Sequence, residues 1–462
     1  MHRPIPLLDF VFLWIDRPDT PANVGALMLF QPLEGQDATR AVRQALKAYR
    51  GARPVAPFDR IPDVPPLGLA HWRPSGRIDP RRHVMHHRLP APGTLGQMRE
   101  YVARLHQTRL DRSRPLYEAH FIEGLSSGQF VLYIKSHHAT WDGRSALARV
   151  FGSLSDEPGA ILPPFFAREM PAATAGPSTA PPLMASVRSL LLQGIALREL
   201  FTALAARAAR IRERSQAPAG NAPFAGPHTR FNQPVRAERS LATFSLPLER
   251  MRQVARAFGG TVNDVVVAVV DAGVQRYLAV RNERPREPLV AMCPISQRDA
   301  NDLEATTKVT TLFVRLGAPR AGIERRMAAI VASTAAAKRE LREISKAAAL
   351  DYAMLAFGLW FASHTLGLGA VTRPIVNFVV SNVGGVPGER YLGRSRLVGA
   401  YPVSMVADPT GLNVTSLSSD GRMDFGILAD RAMVPDPDEI ARHCAEAFAR
   451  LQRAARSRAV RP

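Results

Sequence analysis

RSRPLYEAHFIEGLSSGQFVLYIKSHHATWDGRSAL, residues 112–147, is the most informative stretch of the 462-residue chain. After a Gly-containing turn, Phe130 to Ser136 alternate as a β-strand should. The alternation predicts Phe130, Leu132, Ile134, Ser136 and His138 on one face, and Val131, Tyr133, Lys135 and His137 on the other. Two adjacent histidines cannot both point into one site if the strand runs through them. His138 falls on the apolar-flanked face, which makes it the better candidate for a buried, functional imidazole. Asp142 and Gly143 follow, the glycine free to make a tight turn.

His, His and Asp within seven residues admit three readings. Metal ligands must converge on one point, whereas adjacent strand histidines diverge, and no further His/Glu cluster stands nearby. Two structural core histidines would need no chemistry at all. The third reading is a general base: a neutral imidazole near its working pKa takes a proton from an incoming hydroxyl, with Asp142 fixing the local loop.

Working outward, residues 1–163 read as mixed strands and helices, with DATRAVRQALKAYR (37–50) at helical spacing and QFVLYIKSHH (129–138) as a strand. Residues 164–234 read as a connection. Its first part, through residue 182, is rich in Pro, Ala, Ser and Thr, as linkers are. A helical stretch at 183–216 follows, with Leu, Ile and Phe interleaved with arginine; it fits either a core-packing helix or a basic surface for anionic lipid. Residues 235–462 form a second αβ mixture. Within it Thr261 and Asp264 have capping-box spacing ahead of an apolar run, so Asp264 suits a helix cap as well as a site. Asp424-Phe425-Gly426 reads equally as an ordinary turn or as a functionally important segment.

Sixty basic against 40 acidic residues give a net charge of +20, yet only five of the basic residues are lysine. This balance favours anionic partners such as phospholipid head groups or a phosphorylated cofactor. Hydrophobic residues at 46% support a sizeable core and exclude a disordered or fibrous chain. Two cysteines, Cys293 and Cys444, build neither a disulfide framework nor a cysteine-rich zinc site, which suggests a reducing compartment. The N-terminus has an early Asp9 and no small-residue cleavage site. The window at 352–371 lacks Lys, Arg, Asp and Glu, but His364 and three glycines dilute it, so a buried or surface-lying helix is expected there.

His137-His138-Ala139-Thr140-Trp141-Asp142-Gly143 has the form HHxxxDG. That is the signature of the chloramphenicol-acetyltransferase-like, CoA-dependent acyltransferases. Within that superfamily the chain resembles the bacterial wax ester synthases/diacylglycerol acyltransferases. The resemblance runs through PLLDFVFLWIDRPDTPANVGAL (6–27), FDRIP (58–62), DPRRHVMHHRLPAPG (79–93) and RPLYE (114–118). It continues in TVNDVVVAVV (261–270), MCPISQR (292–298), NFVVSNV (377–383) and MDFGILADR (423–431). Tyr117 replaces the family's tryptophan, Ala22-Asn23 its Met-His, Thr306-Thr307 a Gly-Asn pair, and Gly384-Gly385-Val386 its Pro-Gly-Pro continuation. These departures bear on substrate choice more than on chemistry.

The resemblance implies an α/β (α+β) fold of two chloramphenicol-acetyltransferase-like lobes, mixed sheets flanked by helices, joined by the partly helical crossover. The active site would lie in a tunnel between them. Acyl-CoA is the implied co-substrate, with no bound cofactor and no metal; diacylglycerol or a long-chain alcohol is the implied acceptor. His138 would act as general base beside His137. Asp142 would pair with Arg298, while Gly143, Asn263, Asp264, Ser381 and Asn382 would shape the site. The implied setting is cytoplasmic, peripheral to membrane or lipid inclusions, with no nucleic-acid partner. A superfamily enzyme acylating a non-lipid alcohol or amine, and a non-catalytic lipid-inclusion protein, stay open as alternatives.

Overall fold

Hydrophobic periodicity of 2 and 3.6 is realised in two mixed sheets flanked by helices. The computed structural model of the chain describes residues 3–65, 70–141, 143–169, 226–296, 309–342 and 373–459. The helical stretch at 183–216, the apolar window at 352–371, Thr306-Thr307, Asp142 and Arg298 lie outside the described residues. The first part of the chain holds β1 (Arg3–Pro4), α1 (Leu7–Ile15), β2 (Asn23–Pro32), α2 (Ala38–Gly51), β3 (Arg60–Asp63) and β4 (His71–Pro74). It continues with β5 (Val84–Arg88), α3 (Leu95–Gln107), β6 (Tyr117–Glu123), β7 (Phe130–His137) and α4 (Gly143–Gly152). The later part holds β8 (Arg239–Pro247), α5 (Leu248–Ala257), α6 (Val262–Val280), β9 (Val290–Ser296), β10 (Val309–Arg315) and α7 (Ile323–Arg342). After these come β11 (Phe378–Val386), β12 (Tyr391–Leu392), β13 (Ser395–Val403), β14 (Leu412–Ser419), β15 (Arg422–Asp430) and α8 (Pro437–Ala459).

One six-stranded sheet runs β12-β13-β2-β7-β6-β5, the other β10-β9-β11-β14-β15-β8, and a small third sheet β1-β4-β3 lies apart. The β5–β6, β9–β11 and β11–β14 pairs are parallel and the remaining pairs antiparallel. β12 and β13 belong to the second half of the sequence, yet β13 pairs with β2 and extends the first sheet. The sheets therefore cross the boundary that the sequence places near residue 235.

The helices begin where short polar side chains can cap them. The Asp37 side chain accepts from the Arg40 amide at 2.7 Å, and Thr94 forms a capping box with Gln97. The predicted strand at 129–138 is found at Phe130–His137, with a difference on its second face. Phe130, Leu132 and Ile134 pack with Val42, Leu46 and Tyr49 of α2. Val131 and Tyr133 are also buried, against Met98, Val102 and Ala103 of α3, in a core that continues through α6 into the second sheet. Both faces of a central strand are covered, so alternation alone did not distinguish a functional face.

Asp424-Phe425-Gly426 is not a turn. It lies mid-strand in β15, opposite Ser245, Phe244 and Thr243 of β8. A register shift in β13 between Leu397 and Gly399 turns the Ala400 amide outward, and it donates to Asp424 Oδ2 at 2.9 Å. Ser245 Oγ donates to the other oxygen at 2.6 Å. These two donors make a carboxylate tolerable at a buried position. A Cβ at Gly426 would sit 1.8 Å from the Pro402 carbonyl oxygen, so the strands can cross only over a glycine.

Among the described residues no single helix is long and apolar enough to cross a membrane. The bent pair α5–α6 passes that test by length and composition, but Val265 to Val270 are wholly buried in the core. An all-round apolar helix of this kind is an interior helix.

Candidate active site

β7 ends at His137, and residues 138–140 form a turn before α4. Each backbone amide from His137 to Thr140 is held. The His137 amide donates to the Leu116 carbonyl at 3.0 Å, and the His138 amide to the Ala22 carbonyl at 2.8 Å. The Thr140 amide donates to the His137 carbonyl at 3.0 Å. Leu116 belongs to the RPLYE segment, so that motif acts here by clamping the histidine strand. Its Tyr117 is buried, stacks on His83 with ring centroids 4.5 Å apart, and meets the Phe58 and Phe165 rings edge-on.

The two histidines have different surroundings. His137 is 1% exposed, and its Nδ1 accepts the Ala139 amide at 3.1 Å. Nδ1 is therefore unprotonated, and in the neutral ring the proton sits on Nε2. Nε2 faces Asp16 Oδ2 at 3.6 Å, a charge–dipole contact just beyond hydrogen-bond reach. Burial holds the His137 pKa below its usual value, against the pull of Asp16. His138, in contrast, is partly exposed. Its ring stacks on Phe12 of α1, centroids 3.8 Å apart and planes 17° apart. Burial of the ring, with His137 adding to the effect, pushes its pKa down to about 4, so the imidazole is neutral at pH 7.

Asp16 caps the C-terminal end of α1 and is almost wholly buried. Arg109 Nε lies 2.6 Å from its Oδ2 and Arg112 Nη2 3.0 Å, while the Ala22 amide donates to Oδ1 at 3.1 Å. Burial alone would raise this carboxyl's pKa. His137, Arg109 and the Ala22 amide outweigh it and hold the group well below the usual carboxylate range. Sequence reasoning assigned no role to Asp16, Arg109, Arg112 or Phe12. The available signal was a carboxylate closing a mostly apolar helix, within the opening block that carries the family resemblance.

Asn23, one of the departures, pairs directly with His137 across β2 and β7. Its Nδ2 donates to the carbonyls of His106 and Thr108, both at 2.8 Å, closing the C-terminal end of α3. Among the described residues, His137 Nε2, His138 Nδ1, Thr140 Oγ1 and Asn23 Oδ1 are buried polar atoms without a hydrogen-bond partner. Their concentration around one turn is unusual for a folded interior and typical of a working site.

From the second sheet, β11 approaches α4. A Cβ on Gly143 would lie 3.0 Å from Val383 Cγ1, so the glycine lets the strand close in. Ser381 and Asn382 are half-buried on the same strand, just before a register shift against β14. The Ser381 carbonyl accepts from Ser416 Oγ at 3.3 Å, and Asn382 Oδ1 accepts the Gly384 amide at 3.3 Å. At Gly385 the strand passes so close to Ser418 that a Cβ would meet its carbonyl oxygen at 1.9 Å.

Asp264 is engaged as a helix cap. Its Oδ2 accepts from the Thr261 amide at 2.7 Å and from the Thr261 hydroxyl at 2.8 Å, while Oδ1 accepts from Thr334 Oγ1 of α7 at 2.6 Å. Both halves of the capping box are present. Asn263 stands half-buried beside it, and no hydrogen bond joins it to His137 or His138. The described residues contain no group of three or more His, Cys, Asp or Glu arranged to hold a metal ion.

The sequence profile of the wax ester synthase/diacylglycerol acyltransferase catalytic domain matches residues 6–266, and that of the family's C-terminal domain matches residues 306–452. A Mycobacterium bovis protein named for diacylglycerol O-acyltransferase activity is 33% identical, over 96% of this chain and 98% of its own. A similarly named protein of Mycobacterium tuberculosis strain H37Rv is also 33% identical, over 97% and 99%. Among solved structures, the wax ester synthase/diacylglycerol acyltransferase of Marinobacter aquaeolei VT8 superposes with a TM-score of 0.73 at 26% identity, covering 98% and 99% of the two chains. The first condensation domain of the calcium-dependent antibiotic synthetase shares the fold, with a TM-score of 0.56 at 16% identity over 98% and 97%. With both domain profiles and near full-length relatives in agreement, the chain belongs to the wax ester synthase/diacylglycerol acyltransferase family of acyl-CoA-dependent acyltransferases.

Proposed function

We propose that this acyltransferase of triacylglycerol or wax ester synthesis uses His138 as its general base. His138 Nε2 takes the proton of the acceptor hydroxyl as its oxygen attacks the thioester carbonyl of acyl-CoA. The tetrahedral intermediate collapses, the C–S bond breaks, and the departing CoA thiolate recovers the proton from the imidazolium. The acceptor is diacylglycerol, a long-chain alcohol, or both. One observation supports the reading: of the paired histidines, His138 is the partly exposed one and has no fixed charged partner, while His137 is buried against Asp16. A neutral imidazole is the form a base requires. Asp142 paired with Arg298 would hold the loop between the turn and α4, and Gly143, Ser381 and Asn382 would form the opposite wall.

The test is acyl transfer from radiolabelled acyl-CoA to diacylglycerol, to a long-chain alcohol, or to no acceptor. His138→Ala should lower transfer by ~10²–10⁴ with the melting temperature retained. His137→Ala should be milder. A dead His137 variant beside an active His138 variant would reverse the assignment.

The same reading places the protein peripherally on membrane or lipid-inclusion surfaces, where its water-insoluble products collect. The supporting observation is the net charge of +20, since each arginine near an anionic leaflet contributes ~1 kcal/mol and is screened by salt. Membrane fractions washed in high salt or alkaline carbonate should release it. Retention until detergent, or recovery wholly without lipid, counts against surface binding.

A further inference from the structure

We infer that Asp16 is a positioning residue: braced by Arg109 and Arg112, it fixes the tautomer of His137 that shapes the turn presenting His138. The inference deepens the general-base reading and rests on it for its link to catalysis. Five contacts carry it. The Ala139 amide donates to His137 Nδ1 at 3.1 Å, which requires a bare Nδ1. The proton is then on Nε2, and Asp16 Oδ2 lies 3.6 Å from that atom. Asp16 is itself fixed, Oδ2 by Arg109 at 2.6 Å and Arg112 at 3.0 Å, Oδ1 by the Ala22 amide at 3.1 Å.

The opposite tautomer would point Nδ1–H at the Ala139 N–H, two donors facing each other, and leave a ring lone pair facing a carboxylate. Asp16 thus selects the ring state in which the side chain of His137 can hold the backbone two residues on. That bond, with Ala22 receiving the His138 amide at 2.8 Å, sets the path of the chain through residue 138. The same α1 segment brings Phe12 onto the His138 ring. One short helix and its terminal carboxylate therefore govern both histidines, one by charge and one by stacking. The Asp16 carboxylate does not touch the reacting atoms in this account.

Asparagine at 16 cannot reproduce the arrangement. It has one acceptor oxygen, whereas Asp16 uses one oxygen for the Ala22 amide and the other for the arginines and His137. Asparagine at 137, however, supplies an oxygen that accepts an amide two residues on, the Asx-turn bond, with no tautomer to select. A double-mutant cycle follows from this difference. Asp16→Asn should lower kcat by ~10² through a small misplacement of His138, with KM for acyl-CoA changed less than about threefold. Asp16→Glu should recover part of that loss. His137→Asn should lose less than His137→Ala, and adding Asp16→Asn to His137→Asn should cost about tenfold less than it costs alone.

His138→Ala is measured alongside, with thermal melts for every variant. Additive effects of Asp16→Asn and His137→Asn, or an Asp16→Asn protein that melts lower but keeps its kcat, would overturn the inference. If Asp16→Asn does not fold, the comparison of Asp16→Glu with and without His137→Asn decides the same question, additivity again overturning it. Coupling found together with an active His138→Ala protein would leave the Asp16–His137 lock standing and remove the base assignment. Additivity with a dead His138→Ala protein would do the reverse.

Discussion

Acidification from pH 7.5 to pH 5.5 should destabilise this protein through its buried neutral histidines. His83, His87, His106, His120, His137 and His138 all have pKa values below their usual one, burial being the main cause in each. His106 shows why. Its Nδ1 lies 2.6 Å from the Tyr133 hydroxyl and its Nε2 2.8 Å from the Ser404 carbonyl. The carbonyl can only accept, so Nε2 carries the hydrogen and Nδ1 receives the hydroxyl's; a second ring proton has no place. Its pKa falls to about 3, and those of His87 and His138 to about 4.

The unfolded chain binds protons near pH 6.5 that the folded chain refuses, so stability falls as pH falls through that value. Over this interval one fully suppressed histidine contributes about 1.4 kcal/mol, so His106 and His138 together give about 3 kcal/mol, a large share of a typical folding free energy, and the half-buried His87 adds less. His83, His120 and His137 act in the same direction. Asp271 and Asp424, whose pKa values burial raises, act in the opposite one. Glu118, held at about 2, and Asp16, held lower, begin to matter only below about pH 4.5.

The assay is urea unfolding at both pH values and constant ionic strength, with proton uptake measured by calorimetry in two buffers. A lower midpoint at pH 5.5, with net uptake of about 0.9 proton for each suppressed histidine, is the expected result. His106→Gln, which keeps one donor and one acceptor, should shrink the pH difference by about 1.4 kcal/mol. An equal or higher midpoint at pH 5.5 would refute the reasoning.

The remaining predictions concern the frame around the site. Lys135, 1% exposed on β7, donates to Glu118 Oε2 at 3.0 Å, and Lys135→Met should cost about 2 kcal/mol in urea unfolding, because the partly exposed Glu118 loses its cation. Gly426→Ala must push the Pro402 backbone away; we expect a loss of about 3 kcal/mol together with acyl transfer, read by melting and by the radiolabel assay. Asp264→Ala removes the cap and leaves the Thr334 hydroxyl only the Val331 carbonyl, at a cost of about 1–2 kcal/mol, whereas Asp264→Asn, which still offers an acceptor, should cost less by the same measurement.

Local patterns were legible where a short stretch of sequence decides the structure. Alternation located β7 to within a residue at each end, and the spacing of Thr261 and Asp264 announced a cap that the structure contains. What failed was inference across the chain. Alternation separates two faces but does not say which is covered, and here α2 covers one and α3 the other. His137, placed by alternation on the face opposite the candidate base, is the more buried of the pair because the strand ends there and His138 falls in the turn that follows. Asp424-Phe425-Gly426 has turn-like composition, but its residue types answer to β13, whose amide and carbonyl arrive from 24 residues earlier. Asp16 lies more than 90 residues from Arg109 and Arg112 and farther still from His137. No periodicity encodes such a meeting; only the pairing of β2 with β7 brings the end of α1 to the histidine turn. The residue types that carry the chemistry were visible in one seven-residue motif, while the groups that aim them came from separate strands and loops. Substitutions at Asp16, Leu116 and Ala22, none of them in the motif, should therefore alter turnover more than a substitution of the exposed Arg40 side chain on α2.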